Sequence, residues 1–286
     1  MALHPAEDRP LRTDPELSQG RPIGAVRNRR DGAHCRPGGP GGTIAHDRAP
    51  PAIARRNGVD CRPANPAAVL TRLHEFVCAD GIPVTHVCEV GVYRPEFSNV
   101  AGWLESGTRA TLVECDPITV ESLRARWGAR ENVRIVDCAV ADAPGTLTLH
   151  RAGASTFGAN VPVSPATVND GYVVGRGESF SVPAVTFDTI DDGTIDVLSI
   201  DIEGGEWFVL RHLRSRPAVI SVETHGKRYR NPFHAEIDAW MGAEDYGAWY
   251  FDDSDTVYRR HWRAPVEDRS RPKSWWRRLK TRLRGY

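Results

Sequence analysis

Three stretches of this chain carry residue types that could do chemistry. In Val87-Cys88-Glu89-Val90-Gly91-Val92-Tyr93 an apolar run ends in an acid and a glycine, the composition of a sharp turn that lets a ligand approach the backbone. The run Leu112-Val113-Glu114-Cys115-Asp116 ends in acids, and Glu114 follows Gly91 by the 23 residues that suit a carboxylate accepting from ribose hydroxyls. No G-x-G-x-x-G follows: Val92, Tyr93, Arg94 and Pro95 crowd the turn, whereas pyrophosphate calls for bare amides at a helix start. A nucleoside cofactor without phosphates, S-adenosylmethionine, suits the turn better than a dinucleotide. The candidate cofactor residues are therefore Glu89, Gly91, Tyr93, Glu114 and Asp116. Asp137 and Cys138, after the next apolar run, are placed to approach an adenine or else to be ordinary loop residues.

The third stretch is Ile200-Asp201-Ile202-Glu203-Gly204-Gly205-Glu206, joined further on by Glu223-Thr224-His225. His225 is a candidate general base oriented by Glu223. Glu203 and Glu206 flank a glycine turn where acids also favour a helix dipole by about 0.3–1 kcal/mol. Asp201, Glu203, Glu223 and His225 are all metal-ligand types, yet their spacing demands no metal, and none is expected.

These segments need a scaffold that brings them to one edge. Short apolar runs at Val84–Val90, Arg109–Glu114, Val133–Cys138, Ile195–Ile200 and Ala218–Glu223 alternate with helical patterns, the signature of a parallel sheet covered by helices. Asp116-Pro117 and Asn231-Pro232 each set a capping side chain before a proline, and Pro95 is expected to open a helix in the same way. That helix would lay Phe97, Val100, Ala101 and Leu104 on the sheet, and the one after Asn231 would do so with Phe233, Ile237, Trp240 and Met241. Gly145–His150 and Phe180–Val185 alternate like half-exposed strands, with a loop of about thirty residues between them that is expected to be functional. Its Ser155 and Asn160 are candidate donors to an acceptor. Ala248–Phe251 and Thr256–Arg259 read as a closing β-hairpin.

With these elements in order, Ile195-Asp196-Val197-Leu198-Ser199-Ile200-Asp201-Ile202-Glu203-Gly204-Gly205-Glu206 resembles the strand-to-helix hallmark of FkbM-type methyltransferases. The resemblance spans about Thr85 to Arg259, including Val113-Glu114-Cys115-Asp116-Pro117, Val185-Thr186-Phe187-Asp188 and Ile220-Ser221-Val222-Glu223. Ser199 stands where many members have lysine, and Glu89-Val90-Gly91-Val92-Tyr93 departs from the usual Asp-Val-Gly-Ala-Asn. The resemblance implies a doubly wound, mostly parallel seven-stranded Rossmann-like α/β sheet ending in an antiparallel hairpin. It also implies S-adenosylmethionine-dependent methyl transfer, often to a hydroxyl of a sugar, glycan or other natural product, and puts Asp201 beside the Gly91 turn as the first candidate for positioning the acceptor or removing its proton. Two other readings stay open: a nicotinamide or sugar-nucleotide oxidoreductase on a similar sheet, and a non-catalytic glycan-binding protein that keeps the fold.

Composition bounds the rest. The 286 residues are 40% hydrophobic and 26% charged, with 37 basic and 37 acidic side chains. No apolar run approaches the roughly 20 residues of a membrane span. Eight of the basic residues lie between Arg269 and Arg284 without an acid, so the rest of the chain carries 29 against 37 acids, which argues against nucleic acid as a partner. Six cysteines form no C-x-x-C pair, and no apolar leader precedes a small-residue cleavage site, so a cytoplasmic protein with reduced thiols is expected. Residues 1–65, with the run Pro37-Gly38-Gly39-Pro40-Gly41-Gly42, are expected to be disordered. A methyltransferase domain is expected over 66–262. Trp275, Trp276, Leu279 and Leu283 among arginines in 263–286 would suit peripheral contact with the inner face of an anionic membrane.

Overall fold

Strand β1 (His86–Val90) is buried at every position and pairs in parallel with β2 (Arg109–Glu114) on one side and β8 (Val197–Ile200) on the other. Strands buried on both faces belong in the middle of a parallel sheet. The computed structural model describes residues 70–152, 155–252 and 254–262. Residues 1–65 and the basic tail, for which a disordered arm and a membrane contact are expected, lie outside them.

The main sheet runs β3 (Val133–Asp137), β2, β1, β8, β9 (Val219–Glu223), β11 (Asp255–Arg260), β10 (Tyr246–Phe251). β11 is antiparallel to both neighbours and every other pairing is parallel, which is the expected seven-stranded sheet with its terminal hairpin. After β1 the chain moves outward to β2 and β3, then returns to place β8 on the other side of β1. The carboxyl ends of β1 and β8 therefore form a topological switch point, where open α/β sheets receive ligands.

Helices cover both faces. Leu73 and Val77 of α1 (Arg72–Ala79), Trp103 and Leu104 of α2 (Ala101–Glu105), and Leu123 and Trp127 of α3 (Pro117–Trp127) pack with Val87, Ala110 and Leu112 on one side. Val209 and Leu210 of α5 (Glu206–Leu210) and Ile237 and Met241 of α6 (His234–Ala243) pack with Cys88, Val90, Leu198 and Ile200 on the other. Among the described residues no helix is long and apolar enough to cross a membrane.

Two elements differ from expectation. Pro95 opens only a 3-10 turn (Pro95–Phe97), the chain leaves helical geometry at Ser98, and α2 starts afresh at Ala101, leaving Phe97 64% exposed instead of on the sheet. The cause is buried Glu89: its carboxylate accepts from the Ser98 hydroxyl at 2.5 Å and the Asn99 N–H at 2.7 Å, and a continuous helix would tie up that amide. The long segment after His150 is also more than a loop. It contributes β6 (Ser155–Gly158) and α4 (Pro165–Asn169), the latter begun by a Ser164–Thr167 capping box. With β4 (Ala139–Val140), β5 (Gly145–Ala152) and β7 (Glu178–Val185), β6 makes a second sheet in the order β4-β7-β5-β6.

Candidate active site

The switch point opens into a cleft whose walls include Val90, Gly91, Glu114, Cys138, Asp201 and Glu203. Its floor is the end of β1. Gly91 turns at φ +84°, its N–H donates to the Val113 carbonyl at 2.9 Å, and the Asp201 N–H donates to the Val90 carbonyl at 2.9 Å. A Cβ at position 91 would fall 1.8 Å from the Asp201 carbonyl oxygen, so only glycine lets the β1 turn lie against the end of β8. Tyr93, left-handed at φ 45°, stands at the mouth, its carbonyl accepting from the Thr119 hydroxyl.

Glu114 ends β2 inside the cleft, 6% exposed. One carboxylate oxygen accepts from the Val92 N–H at 2.9 Å; the other accepts from Cys115 N–H at 2.7 Å and Asp116 N–H at 2.8 Å. Three backbone amides, joined by the Cys115 thiol, thus fix the carboxylate on the cleft wall. Asp116, the N-cap of α3, accepts from Ile118 N–H and from Arg151 at 2.8 and 2.9 Å. Burial raises its carboxyl, but the Arg151 guanidinium, the Ile118 amide and the Thr156 hydroxyl together outweigh burial and hold it below the usual range. Through Asp116, Arg151 ties its strand of the second sheet to α3, and it also pairs with Glu178 on the neighbouring strand. Leu147, Leu149, Thr156, Gly158 and Asn160 of that sheet and its following turn roof the cleft. Cys138 lines it as well, its thiol pushed up to about 11 by burial and by Asp137.

Two candidate cofactor residues are placed elsewhere. Glu89 faces Ser98 and Asn99 and does not line the cleft; burial pushes its carboxyl up to about 7 against those hydrogen bonds. Asp137 points outward to an ion pair with Arg124 at 3.2 Å.

Acids gather at the opposite end of the cleft. Asp201 and Glu203 line it, Glu203 held left-handed at φ 61° beside Gly204 at φ +111°. That turn is organised by fully buried Glu206, which accepts from the Ile202 and Gly204 N–H groups at 3.0 Å each and from the Asn231 amide. Asn231 also donates to the Glu223 carbonyl, so the residue read as a helix cap fastens β9 to the acidic turn. Its Oδ1 does accept from Phe233 N–H, and α6 begins one residue later. Carboxylate oxygens of Asp201, Glu206 and Glu223 lie within 4.8 Å of one another. Asp255, at the start of β11, pairs directly across from Glu223.

Burial raises all of these carboxyls, and repulsion from the neighbouring acids of the cluster raises Asp201 and Glu223 further. Glu223 is pushed up to about 12 by burial and then by Asp201, and Glu206 up to about 7 by burial. Asp201 Oδ1, Glu203 Oε2, Glu223 Oε2 and the Tyr229 hydroxyl are buried without a hydrogen-bond partner among the described residues. His225 stands apart: its ring meets the Thr224 hydroxyl at 3.0 Å instead of Glu223, and it does not line the cleft. Ser155 also lies off the cleft wall, hydrogen bonded to Glu203, while Asn160 is on it. Sequence reasoning missed Tyr229 and Asp255. Asp255 lay within an acidic hairpin turn, and only the β9–β11 register shows that it faces another acid.

A doubly wound sheet of this strand order, with its cleft between the β1 turn and the acid ending β2, has the Rossmann-like architecture of methyltransferases. The chain belongs to the methyltransferase FkbM domain family, whose model matches residues 89–248. Its methyl donor is S-adenosylmethionine, and the Gly91 cradle and the Glu114 carboxylate on the cleft wall fit that nucleoside. Similar solved structures include the precorrin-6y C5,15-methyltransferase of Geobacter metallireducens GS-15, at 11% identity over 63% of this chain and 81% of that one, TM-score 0.32. Another is the glycopeptide N-methyltransferase MtfA complexed with sinefungin, at 10% identity over 68% and 88%, TM-score 0.34. A third is an SAH-bound methyltransferase of Podospora anserina, at 10% identity over 63% and 72%, TM-score 0.29. These are too distant to carry any inference about the site. No curated protein matches the chain.

Proposed function

We propose that the protein transfers the methyl group of S-adenosylmethionine to a hydroxyl oxygen of a sugar, glycan or other natural product. The observation that carries this reading is the closeness of Gly91 to Asp201: the turn beneath the cofactor touches the backbone of the acid that would meet the acceptor. Bound in the cleft, the cofactor supplies an electrophilic methyl group on a sulfonium. Glu114 accepts one ribose hydroxyl, its carboxylate already fixed by three backbone amides. Cys138 and Ala139, under the Leu147 and Leu149 roof, give an apolar slot for the adenine and keep water from it. Asp201 and Glu203 face the acceptor, where in-line displacement needs a positioned hydroxyl and one group to receive its proton. Asp201, with an unpartnered oxygen and its main chain bonded to β1, is that group.

The reading is tested by calorimetry with S-adenosylmethionine and S-adenosylhomocysteine, with NAD as control. Saturable one-to-one binding of both adenosyl compounds and none of NAD is expected. Preference for NAD, or no adenosyl binding, would overturn it.

A further inference from the structure

We propose that Asp201, Glu206 and Glu223 hold one divalent cation of the hard, oxygen-preferring class, such as Mg²⁺ or Mn²⁺, at the acceptor end of the cleft. The geometry fits a single ion. Oxygen ligands sit about 2.3–2.6 Å from Ca²⁺ and about 2.0–2.1 Å from Mg²⁺, so two on one ion lie at most about 5.2 or 4.2 Å apart. One carboxylate oxygen from each of these residues lies within 4.8 Å of the others, inside the limit for the larger ion and needing a small inward movement of the side chains for the smaller. They come from three places, the ends of β8 and β9 and the start of α5. Spacing along the chain therefore gave no hint of a metal.

An independent observation is Tyr229. This side chain is 3% exposed, its hydroxyl has no partner among the described residues, and it lies close to the acidic turn: a Cβ on Gly204 would be 3.4 Å from it. A buried phenol O–H without an acceptor costs on the order of 1–3 kcal/mol. A water on a cation among the carboxylates would supply that acceptor. Glu223 and Asp201 each offer an unpartnered oxygen, whereas Glu206 is already bonded to the Ile202, Gly204 and Glu206 amides and to Asn231 and would share an oxygen between those donors and the ion. Like charges directly across an antiparallel pair destabilise a sheet, and Glu223 faces Asp255 in that way. A bound cation offsets that repulsion. With carboxylates as the only ligands, a hard ion is favoured over zinc or copper.

The ion's use rests on the methyl-transfer reading: the acceptor hydroxyl would be a further ligand, which favours its deprotonated form. Binding of the ion does not rest on that reading. The experiment titrates chelator-stripped, full-chain protein with Mn²⁺, following free ion by electron paramagnetic resonance, with Mg²⁺ as competitor. One saturable site displaced by Mg²⁺ is expected. Glu223→Gln and Asp201→Asn should each weaken it by more than about tenfold, while S-adenosylhomocysteine binding persists and the exposed control Glu96→Gln changes nothing. If either variant fails to fold, the wild type locates the ion by paramagnetic broadening of the Gly204, Thr224 and Asn231 amides with Gly107 unaffected. Absence of saturable Mn²⁺ binding overturns the proposal, as does binding undiminished in the folded variants or broadening elsewhere. Loss of adenosyl binding with Mn²⁺ binding intact would instead refute the methyl-transfer reading alone.

Discussion

Replacing Gly91 by alanine should damage fold and site together, and Gly107 supplies the control. Both glycines are left-handed, at φ +84° and +81°, but a Cβ at 107 meets nothing within 4 Å whereas one at 91 falls 1.8 Å from the Asp201 carbonyl oxygen. A close carbon–oxygen contact lies at about 3.3–3.6 Å, so the β1 turn and the end of β8 would have to part by about 1.5 Å. Gly107→Ala carries only the backbone cost, about 1–2 kcal/mol. Gly91→Ala adds an overpacking cost of about 1–3 kcal/mol, at the upper end because the obstacle is main chain in a buried ladder. Urea unfolding of the two variants should therefore differ by about 2–3 kcal/mol. Gly107→Ala should bind S-adenosylhomocysteine like wild type, while Gly91→Ala should lose at least about tenfold, or 1.4 kcal/mol. Equal stabilities, or wild-type affinity in Gly91→Ala, would refute the placement of Asp201 against the cofactor turn.

Glu114→Ala removes a charged acceptor worth about 1.5–3 kcal/mol, so calorimetry should show S-adenosylhomocysteine binding about 10- to 150-fold weaker; a change under threefold would remove Glu114 from the site. Arg151→Ala unties the second sheet from α3 and should cost about 1.5–3 kcal/mol in chemical unfolding. Arg151→Lys should restore little of that, because lysine cannot bond both Asp116 oxygens as the guanidinium does, and full rescue would contradict this. His74, 1% exposed against Trp103 and Cys78, is lowered by burial from 6.5 to about 4. Below pH 6.5 the unfolded chain takes up a proton that the folded one refuses, so this contribution is fully present above 6.5 and is lost as pH falls toward 4. The loss is about 2 kcal/mol by pH 5. Unfolding curves of wild type and His74→Leu should therefore diverge across that window, and parallel profiles would refute the burial argument.

What the sequence made legible was what local pattern decides. Five parallel strands and the hairpin are short apolar runs, and Asp116-Pro117 marks the start of α3 because cap and proline act within one turn. The segment from 151 to 177 was opaque because its strand and helix are only four and five residues long, too short for periodicity to register. The helix expected at Pro95 failed for a tertiary reason, since buried Glu89 recruits the amide and hydroxyl that would have continued it. At the site, Gly91, Glu114 and Asp201 stood out because they terminate strands that the topology gathers at one edge. Glu89 and Asp137 share that edge, yet their side chains face Ser98 and Arg124, and nothing in residue type reveals a direction.

The acidic end of the cleft departs from local rules in a way that the cofactor end does not. Around Glu114 every choice agrees: three amides meet one carboxylate, and a proline follows the cap. Across the cleft, Glu203 is held left-handed, an acid faces an acid between β9 and β11, and several buried oxygens lack partners among the described residues. Strain and unsatisfied groups persist only where surrounding structure over-determines them. Here Asn231 and Glu206 do so, holding the turn after β8 and the end of β9 together through side-chain bonds that use no substrate. The two ends therefore differ in kind. One is complete in itself and needs only a nucleoside to fill it; the other is rigid but electrostatically unfinished, as expected where an acceptor and a positive charge must be received.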